Sequence, residues 1–279
     1  MRLGVLSDIH LAPAGSLPGM WHNPLHYERA PVLLDRAISF LRDRDVDAVA
    51  VLGDLTNSGD RASIAQGLRL LGLLTVPVYV LPGNHDWGAR GEVLRTTIEA
   101  NQPSRIALPR GDRNGHFPFR LAGVTALDRR DEGITWHVRP GAIEADGDGP
   151  LLVMSHFPLL DREQEIVAQG LKFAGDFAWS SSTRDPLLTR SAPTVLLHGH
   201  LHIRYATTEG TILQLGFASL IEAPHEVSLV EIAERDGELT VSVEHHSVET
   251  DDVPVVPLLS ASRSIWSFQD HRWTNDVGD

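Results

Sequence analysis

The chain contains no cysteine. Disulfides, thiolate nucleophiles and sulfur-ligated zinc or iron–sulfur sites are therefore excluded, and any metal must be held by His, Asp, Glu or Asn. Lysine is almost as scarce. Of 24 Lys and Arg residues only Lys172 is a lysine, which closes Schiff-base chemistry everywhere else. No apolar run approaches the roughly 20 residues needed to cross a bilayer. Met1 leads straight into a core-strand pattern at residues 3–6 with no signal-peptide features, so a cytoplasmic protein without a membrane partner is expected. Positive charge is in deficit, with a net charge of −13 at pH 7. That balance disfavours nucleic acid as a partner, because affinity for a phosphate backbone comes from cationic surface. A small anionic substrate stays open, since bound cations reverse a local field.

What the sequence does have is histidine, fourteen in 279 residues, a side chain that serves both as metal ligand and as proton carrier near neutral pH. With 42% apolar residues and no low-complexity tract, the chain is long enough to bury a sizeable core. One catalytic domain over residues 1–249 is expected, with a tail over 250–279 that carries Pro254, Pro257, Trp266, Phe268 and Trp273. Val253, Val255, Val256, Leu258 and Leu259 precede those aromatics, too much apolar surface to leave in water, so the tail is expected to pack on the domain or on a subunit of a homo-oligomer.

Apolar runs at 2–7, 48–52 and 76–81 alternate with helical spacing at 31–44, where Val32, Leu33, Ala37, Ile38 and Leu41 recur, and at 64–74. Strand, helix, strand, helix, strand is the order of βαβ units and a mainly parallel sheet, hence an α/β fold. A helix at 92–100 and strands near 117–127, 151–155 and 194–198 continue the order. Runs at 211–215 and 227–232, then Arg235-Asp236-Gly237-Glu238 and an alternating stretch at 239–243, predict antiparallel strands and a hairpin. The segment 157–193 has weak periodicity and reads as a loop-rich excursion with one short helix.

Each polar cluster of interest follows a predicted strand: Asp8-Ile9-His10, Gly53-Asp54, Gly83-Asn84-His85-Asp86, His156 and His200-Leu201-His202. In open α/β sheets the crevice beyond the carboxyl ends of the strands binds ligands, so five scattered segments are expected to converge on one place. Residues two apart project to the same side of an extended backbone, which lets both members of Asp8-x-His10 and of His200-x-His202 reach one centre. Gly53, Gly83 and Gly199 permit close approach beside it. A lone His or Asp at such a position is more often a hydrogen-bonded structural residue; the ordered set is the signal.

The blocks D-x-H, G-D, G-N-H-D, H and G-H-x-H stand here in that order between Asp8 and His202, and they resemble the calcineurin-like metallophosphoesterases. The resemblance implies a four-layer αββα sandwich, two mixed sheets flanked by helices. It also implies two metals, one held by Asp8, His10, Asp54 and His202 and the other by Asp54, Asn84, His156 and His200. Two ions about 3.5–4 Å apart need a bridging carboxylate, and hard O and N ligands suit manganese or iron, with zinc an alternative. The expected reaction is hydrolysis of a phosphoester by a hydroxide shared between the ions. His85 is read as the proton donor to the leaving oxygen, with Asp86 orienting its ring, the alternative being a supporting role behind the ligands. His198 is read as structural or as a support behind the ligands. Asn57 stands where purple acid phosphatases carry a tyrosine ligand, which argues against that subgroup. His22 and His26 face either the substrate mouth or solvent.

The leaving group is harder to read. Gly-Asp-Leu-Thr-Asn-Ser-Gly at 53–59 and Pro-Gly-Asn-His-Asp at 82–86 look most like the bacterial class III cyclic-nucleotide phosphodiesterases and glycerophosphodiesterases, which points to a small phosphodiester. A phosphomonoesterase of the same two-metal chemistry is the alternative, and a nuclease ranks third because of the acidic charge. From other classes, a non-catalytic scaffold on this fold would have lost ligands, and a histidine-rich metal store would lack a neighbouring proton donor.

Overall fold

Two sheets are built from the apolar runs read above. A computed structural model describes residues 1–87, 92–101, 105–109, 119–125, 127–130, 135–139, 143, 147–173, 179, 181–235, 237–249 and 261–275. The first sheet begins with β1 (Arg2–Leu6), β2 (Ala48–Val51), β3 (Val78–Val80) and β4 (Ile106–Ala107), all parallel. The second contains β5 (Arg120–Gly123), β6 (Leu151–Met154) and β7 (Thr194–His198), then the antiparallel edge β8 (Tyr205–Glu209) and the parallel β9 (Ile212–Gly216). Four antiparallel strands return to the first sheet: β10 (Glu226–Arg235), β11 (Glu238–Ser247), β12 (Arg263–Gln269) and β13 (Arg272–Asn275). The orders are β13-β12-β11-β10-β1-β2-β3-β4 and β8-β9-β7-β6-β5.

Strand periodicity divides the core. On β2, Val49 and Val51 face α1 (Ala30–Arg42) and α2 (Arg61–Leu71), while Ala48 and Ala50 face the second sheet. Leu33, Leu34, Ala37, Ile38 and Leu41 form the buried stripe of α1, with Pro31 in its first turn, where the missing N–H is no loss. The Asp60 carboxylate caps α2 by accepting from Ser63 N at 2.9 Å. Between the sheets, Leu3, Val5, Leu52, Leu152, Met154, Val195 and Leu197 are buried together. The outer face of the second sheet packs Leu151, Val153 and Leu196 against Leu159, Leu160, Trp179 and Leu187, the last from a helix at Ser181–Leu188. Helix, sheet, sheet, helix is the four-layer αββα sandwich.

Three details differ from the sequence reading. The strand expected over 117–127 is shorter, Arg120–Gly123, and a separate hairpin pairs Leu127–Arg130 with Thr135–Val138. Among the described residues of region 157–193 there are two short helices, Glu163–Ala168 and Ser181–Leu188, where one was expected. The third is a small hairpin, Gly19–Met20 with Pro24–Leu25, in the loop after the first ligand pair.

Beyond Glu249, β12 pairs with β11 and β13 with β12, extending the large sheet. Trp273 is 6% exposed in the core between the sheets, its indole N–H donates to Thr211 O at 2.9 Å, and its ring lies 5.2 Å from that of Phe268. The run 253–259 lies outside the described residues. Truncating a buried tryptophan removes its transfer free energy and leaves a cavity. Trp273→Ala is therefore expected to destabilise the fold by about 3–5 kcal/mol, read as a lower urea midpoint at unchanged m-value.

Candidate metal centre

The ligand blocks occupy one rim of the sandwich, at the carboxyl ends of β1, β2, β3, β6 and β7. The chain does not simply continue as strand there. Asp8, His10, Asp54, His200 and His202 all have left-handed backbone, with φ between 50° and 68°. Such conformations are uncommon for residues other than glycine and persist where the surroundings over-determine them. Here the surroundings are backbone bonds between blocks. Ile9 N and His10 N both donate to Asp54 O at 2.9 Å, Ile221 N donates to Asp8 O at 3.2 Å, and Gly199 N donates to His156 O at 3.2 Å. Close approach also explains two glycines. A Cβ at Gly199 would lie 1.9 Å from Ser7 Oγ and 2.6 Å from Asp8 Oδ2, and one at Gly83 would lie 2.1 Å from Asp54 Oδ1.

The side chains converge on a buried centre. Ligand atoms of Asp8, His10 and His202 lie within 4.8 Å of one another, as do those of Asp8, Asp54 and His156 and those of His10, Asp54 and His85. Asp54 stands in the middle: its Oδ2 is 3.6 Å from His10 Nε2 and 3.4 Å from His156 Nε2, while its Oδ1 accepts from His85 N at 2.8 Å. Asn84 Oδ1 is 3.0 Å from His156 Nε2. The His200 ring lies 5.0 Å from the His156 ring, and its backbone N–H donates to both Asp8 oxygens at 3.1 and 3.2 Å. Both ring nitrogens of His10 are buried without a hydrogen-bond partner. Burial holds this ring neutral, its pKa pushed down to about 3 despite Asp54. A buried imidazole lone pair aimed at a carboxylate is a fit for a cation.

Without a cation, the centre balances its charge with protons. His156 donates through Nδ1 to Leu52 O at 2.8 Å and faces Asn84 Oδ1 through Nε2. Burial opposes its charge, but Asp54 outweighs burial and raises its pKa to about 9. His202 sits between Asp8 Oδ1 at 3.4 Å and Glu222 Oε2 at 2.8 Å. Burial again opposes, and Asp8 and Glu222 raise it to about 10. Burial would raise the Asp8 carboxyl, yet His202 holds it at about 2. Both imidazoles are thus charged at pH 7 and must be deprotonated to ligate a metal. Metal uptake is therefore expected to release up to two protons per chain at pH 7 and to strengthen as pH rises toward 9. Calorimetric titration in buffers of different ionisation enthalpy checks the count.

Two residues take places the sequence did not indicate. The Asp86 carboxylate does not reach the His85 ring, which corrects the expected orienting role. It is 1% exposed and accepts from Leu55 N, Thr56 N, Thr56 Oγ1 and Gly83 N at 2.8–3.1 Å. It thereby ties the Asp54 block to the Asn84 block. Burial raises its pKa to about 7, with Asp54 adding to the rise. The exposed His85 ring is held instead by Asn57, whose carbonyl lies 3.0 Å from Nδ1. The second residue is Glu222, 2% exposed in the loop after β9. Besides His202 it binds Asn23 N, so it links a candidate ligand to the Gly19–Leu25 hairpin.

A carboxylate behind a ligating histidine fixes its tautomer and raises its basicity. Glu222→Gln is expected to weaken metal affinity about 10–100-fold while the fold persists, measured by competition with a chelating indicator. His198 is fully buried with Nδ1 2.9 Å from Gly199 O, His22 is half-buried with Nε2 3.0 Å from Leu201 O, and His26 is exposed beside Glu28.

Comparison with known proteins agrees with this geometry. The pattern of the calcineurin-like phosphoesterase family matches residues 1–204. A dimetal phosphatase from Danio rerio superposes with a TM-score of 0.61 at 14% identity, covering 89% of this chain and 96% of that one. A purple acid phosphatase from yellow lupin seeds gives 0.52 at 15% identity, covering 91% of this chain and 52% of that one. At such identities the likeness is one of fold. The chain belongs to the calcineurin-like phosphoesterase family and is a phosphoester hydrolase of that class. The family uses a binuclear metal centre, and the candidate ligands for one are present.

Proposed function

We propose that the protein hydrolyses a small phosphodiester at a two-metal centre. Asp8, His10, Asp54 and His202 would hold one ion, and Asp54, Asn84, His156 and His200 the other. The observation that carries this reading is the position of Asp54 Oδ2 between His10 Nε2 and His156 Nε2, 3.6 and 3.4 Å away, so that one carboxylate serves both ligand groups. The donor set of carboxylate, amide and imidazole suits manganese or iron, with zinc admissible. When bound, the ions supply Lewis acidity at the phosphoryl oxygen and a nucleophile at neutral pH.

The protein's own groups do the rest. Asp86 keeps the two central loops together, Glu222 and Leu52 O set the faces that His202 and His156 present, and Asn57 O orients His85. With Nδ1 turned to that carbonyl, His85 keeps Nε2 free of Asn57 and donates a proton to the departing oxygen. The diester assignment rests on the likeness of residues 53–59 and 82–86 to class III cyclic-nucleotide phosphodiesterases and glycerophosphodiesterases. A monoesterase is the competing outcome. Among the described residues no helix is long and apolar enough to cross a membrane, and a cytoplasmic location is part of the same proposal.

The test is a rate comparison of the manganese-loaded protein on bis-p-nitrophenyl phosphate, p-nitrophenyl phosphate and cyclic AMP, with metal counted per chain. Faster turnover of the diesters with two ions bound is expected. A clear preference for the monoester overturns the diester assignment, and a single bound ion overturns the two-metal one.

A further inference from the structure

The only lysine of the chain contacts Trp21, a ring neighbour of the candidate ligand His202. Leu171 is buried with Leu201, Ile203 and Tyr205, which seats the Lys172 segment on the very loop that carries His200 and His202. The Gly19–Leu25 hairpin brings Trp21 to the same loop: its indole N–H donates to Leu201 O at 3.3 Å, and its ring lies 6.4 Å from the His202 ring. The Lys172 ammonium stands 5.3 Å from the centre of the Trp21 ring, a cation–π separation that braces a long flexible stem. The residue is exposed, so its charge is presented to solvent. In a chain of net charge −13, a cation fixed there counters the repulsion that an anionic substrate meets on approach.

We propose that Lys172, braced on Trp21, is a specificity-determining residue that binds a second anionic group of the substrate, remote from the phosphorus under attack. The proposal deepens the diester reading and names the substrate class: phosphoesters whose non-leaving arm carries a phosphate or carboxylate. An ammonium meets such a group as a point charge with three donors, and the contact with the Trp21 ring narrows the positions its stem takes. Loss of one charge-assisted bond of this kind corresponds to about a tenfold weakening or more.

Two measurements test it, one of them independent of turnover. Because the chain has one lysine, modification by an amine-reactive ester can be followed at Lys172 by peptide mass spectrometry on the metal-loaded protein. Inorganic pyrophosphate is expected to slow that modification, and equal rates with and without it overturn the proposal. In the second, wild type, Lys172→Met and Lys172→Arg are compared on two diesters with the same nitrophenol leaving group, methyl p-nitrophenyl phosphate and its 2-phosphoethyl counterpart. Lys172→Met is expected to raise KM about tenfold for the phosphoethyl ester alone, with kcat, metal content and the methyl ester unchanged and with substantial rescue in Lys172→Arg. An equal effect on both esters, or none, overturns it. If wild type cleaves neither diester, the diester reading fails and the protection experiment alone decides whether Lys172 binds anions.

Discussion

Asp54→Asn is expected to lower kcat/KM by about 10³-fold or more and to reduce bound metal from two ions to one or none. A two-metal centre contributes several kcal/mol of charge stabilisation, and each 1.4 kcal/mol is about tenfold in rate. Asp54 is the carboxylate that the two proposed ligand groups would share. Its carboxylate is 2% exposed and faces His10 on one side and His156 on the other through a single oxygen. Its pKa is held well below the ordinary carboxylate range: burial works the other way and is overcome by His156 and His85. The amide in Asp54→Asn keeps the volume and an acceptor but removes the charge that two cations would share. Its oxygen can still accept from His85 N, as Oδ1 does at 2.8 Å, which leaves the NH2 where Oδ2 now faces His10 and His156. Elemental analysis of the purified variant, with kinetics under saturating manganese, separates the loss of metal from the loss of rate. Two ions retained with near-normal kcat would remove Asp54 from the bridging position.

The places of the candidate ligands were legible because each apolar run ends in a polar block, and parallel strands deliver their carboxyl ends to one rim. Five blocks therefore identified the rim before any contact was known. Glu222 was not legible by that route. It also follows a parallel strand, β9, but stands six residues past its end, directly after the run of Phe217, Ala218, Leu220 and Ile221, with no glycine and no second ligand beside it. Asp86 was misread for a related reason. Adjacency to His85 suggested a partnership, whereas the turn after Pro82-Gly83 points the carboxylate inward, to backbone N–H groups 30 and 31 residues earlier in the chain.

Turn chemistry explains the rest. The β10–β11 hairpin carries Asp-Gly, and Gly237 has the positive φ of 80° that such a turn needs. The β12–β13 hairpin makes a two-residue turn from Asp270 and His271, at φ 48° and 59°, with no glycine to announce it. Residues 263–275 thus read as part of a tail although they pair in the sheet. The alternation around Trp266 and Phe268 was the signal that could have found them.

His85→Ala is expected to lower kcat by about 10²–10⁴-fold on esters of poor leaving groups, such as an alkyl phosphodiester, while two ions remain bound. The ring is exposed, stands edge-on to His10 with centroids 4.7 Å apart, and is positioned through Nδ1 by Asn57 O. That placement is what a proton donor needs: close to the reacting group, oriented by a fixed acceptor, and open to solvent for reprotonation. A competing role as a ligand exists, because one ring nitrogen lies within 4.8 Å of the ligand atoms of His10 and Asp54. The two roles part on two observables. A donor matters in proportion to the basicity of the leaving oxygen, so the defect should shrink for p-nitrophenolate, which departs without a proton, and should persist for alkoxides. A ligand matters equally for both, and its removal lowers the metal count. A plot of log kcat against leaving-group pKa for wild type and His85→Ala therefore decides. A steeper slope in the variant with two ions per chain assigns proton transfer to His85. Parallel lines with one ion per chain would assign it to the metal shell instead.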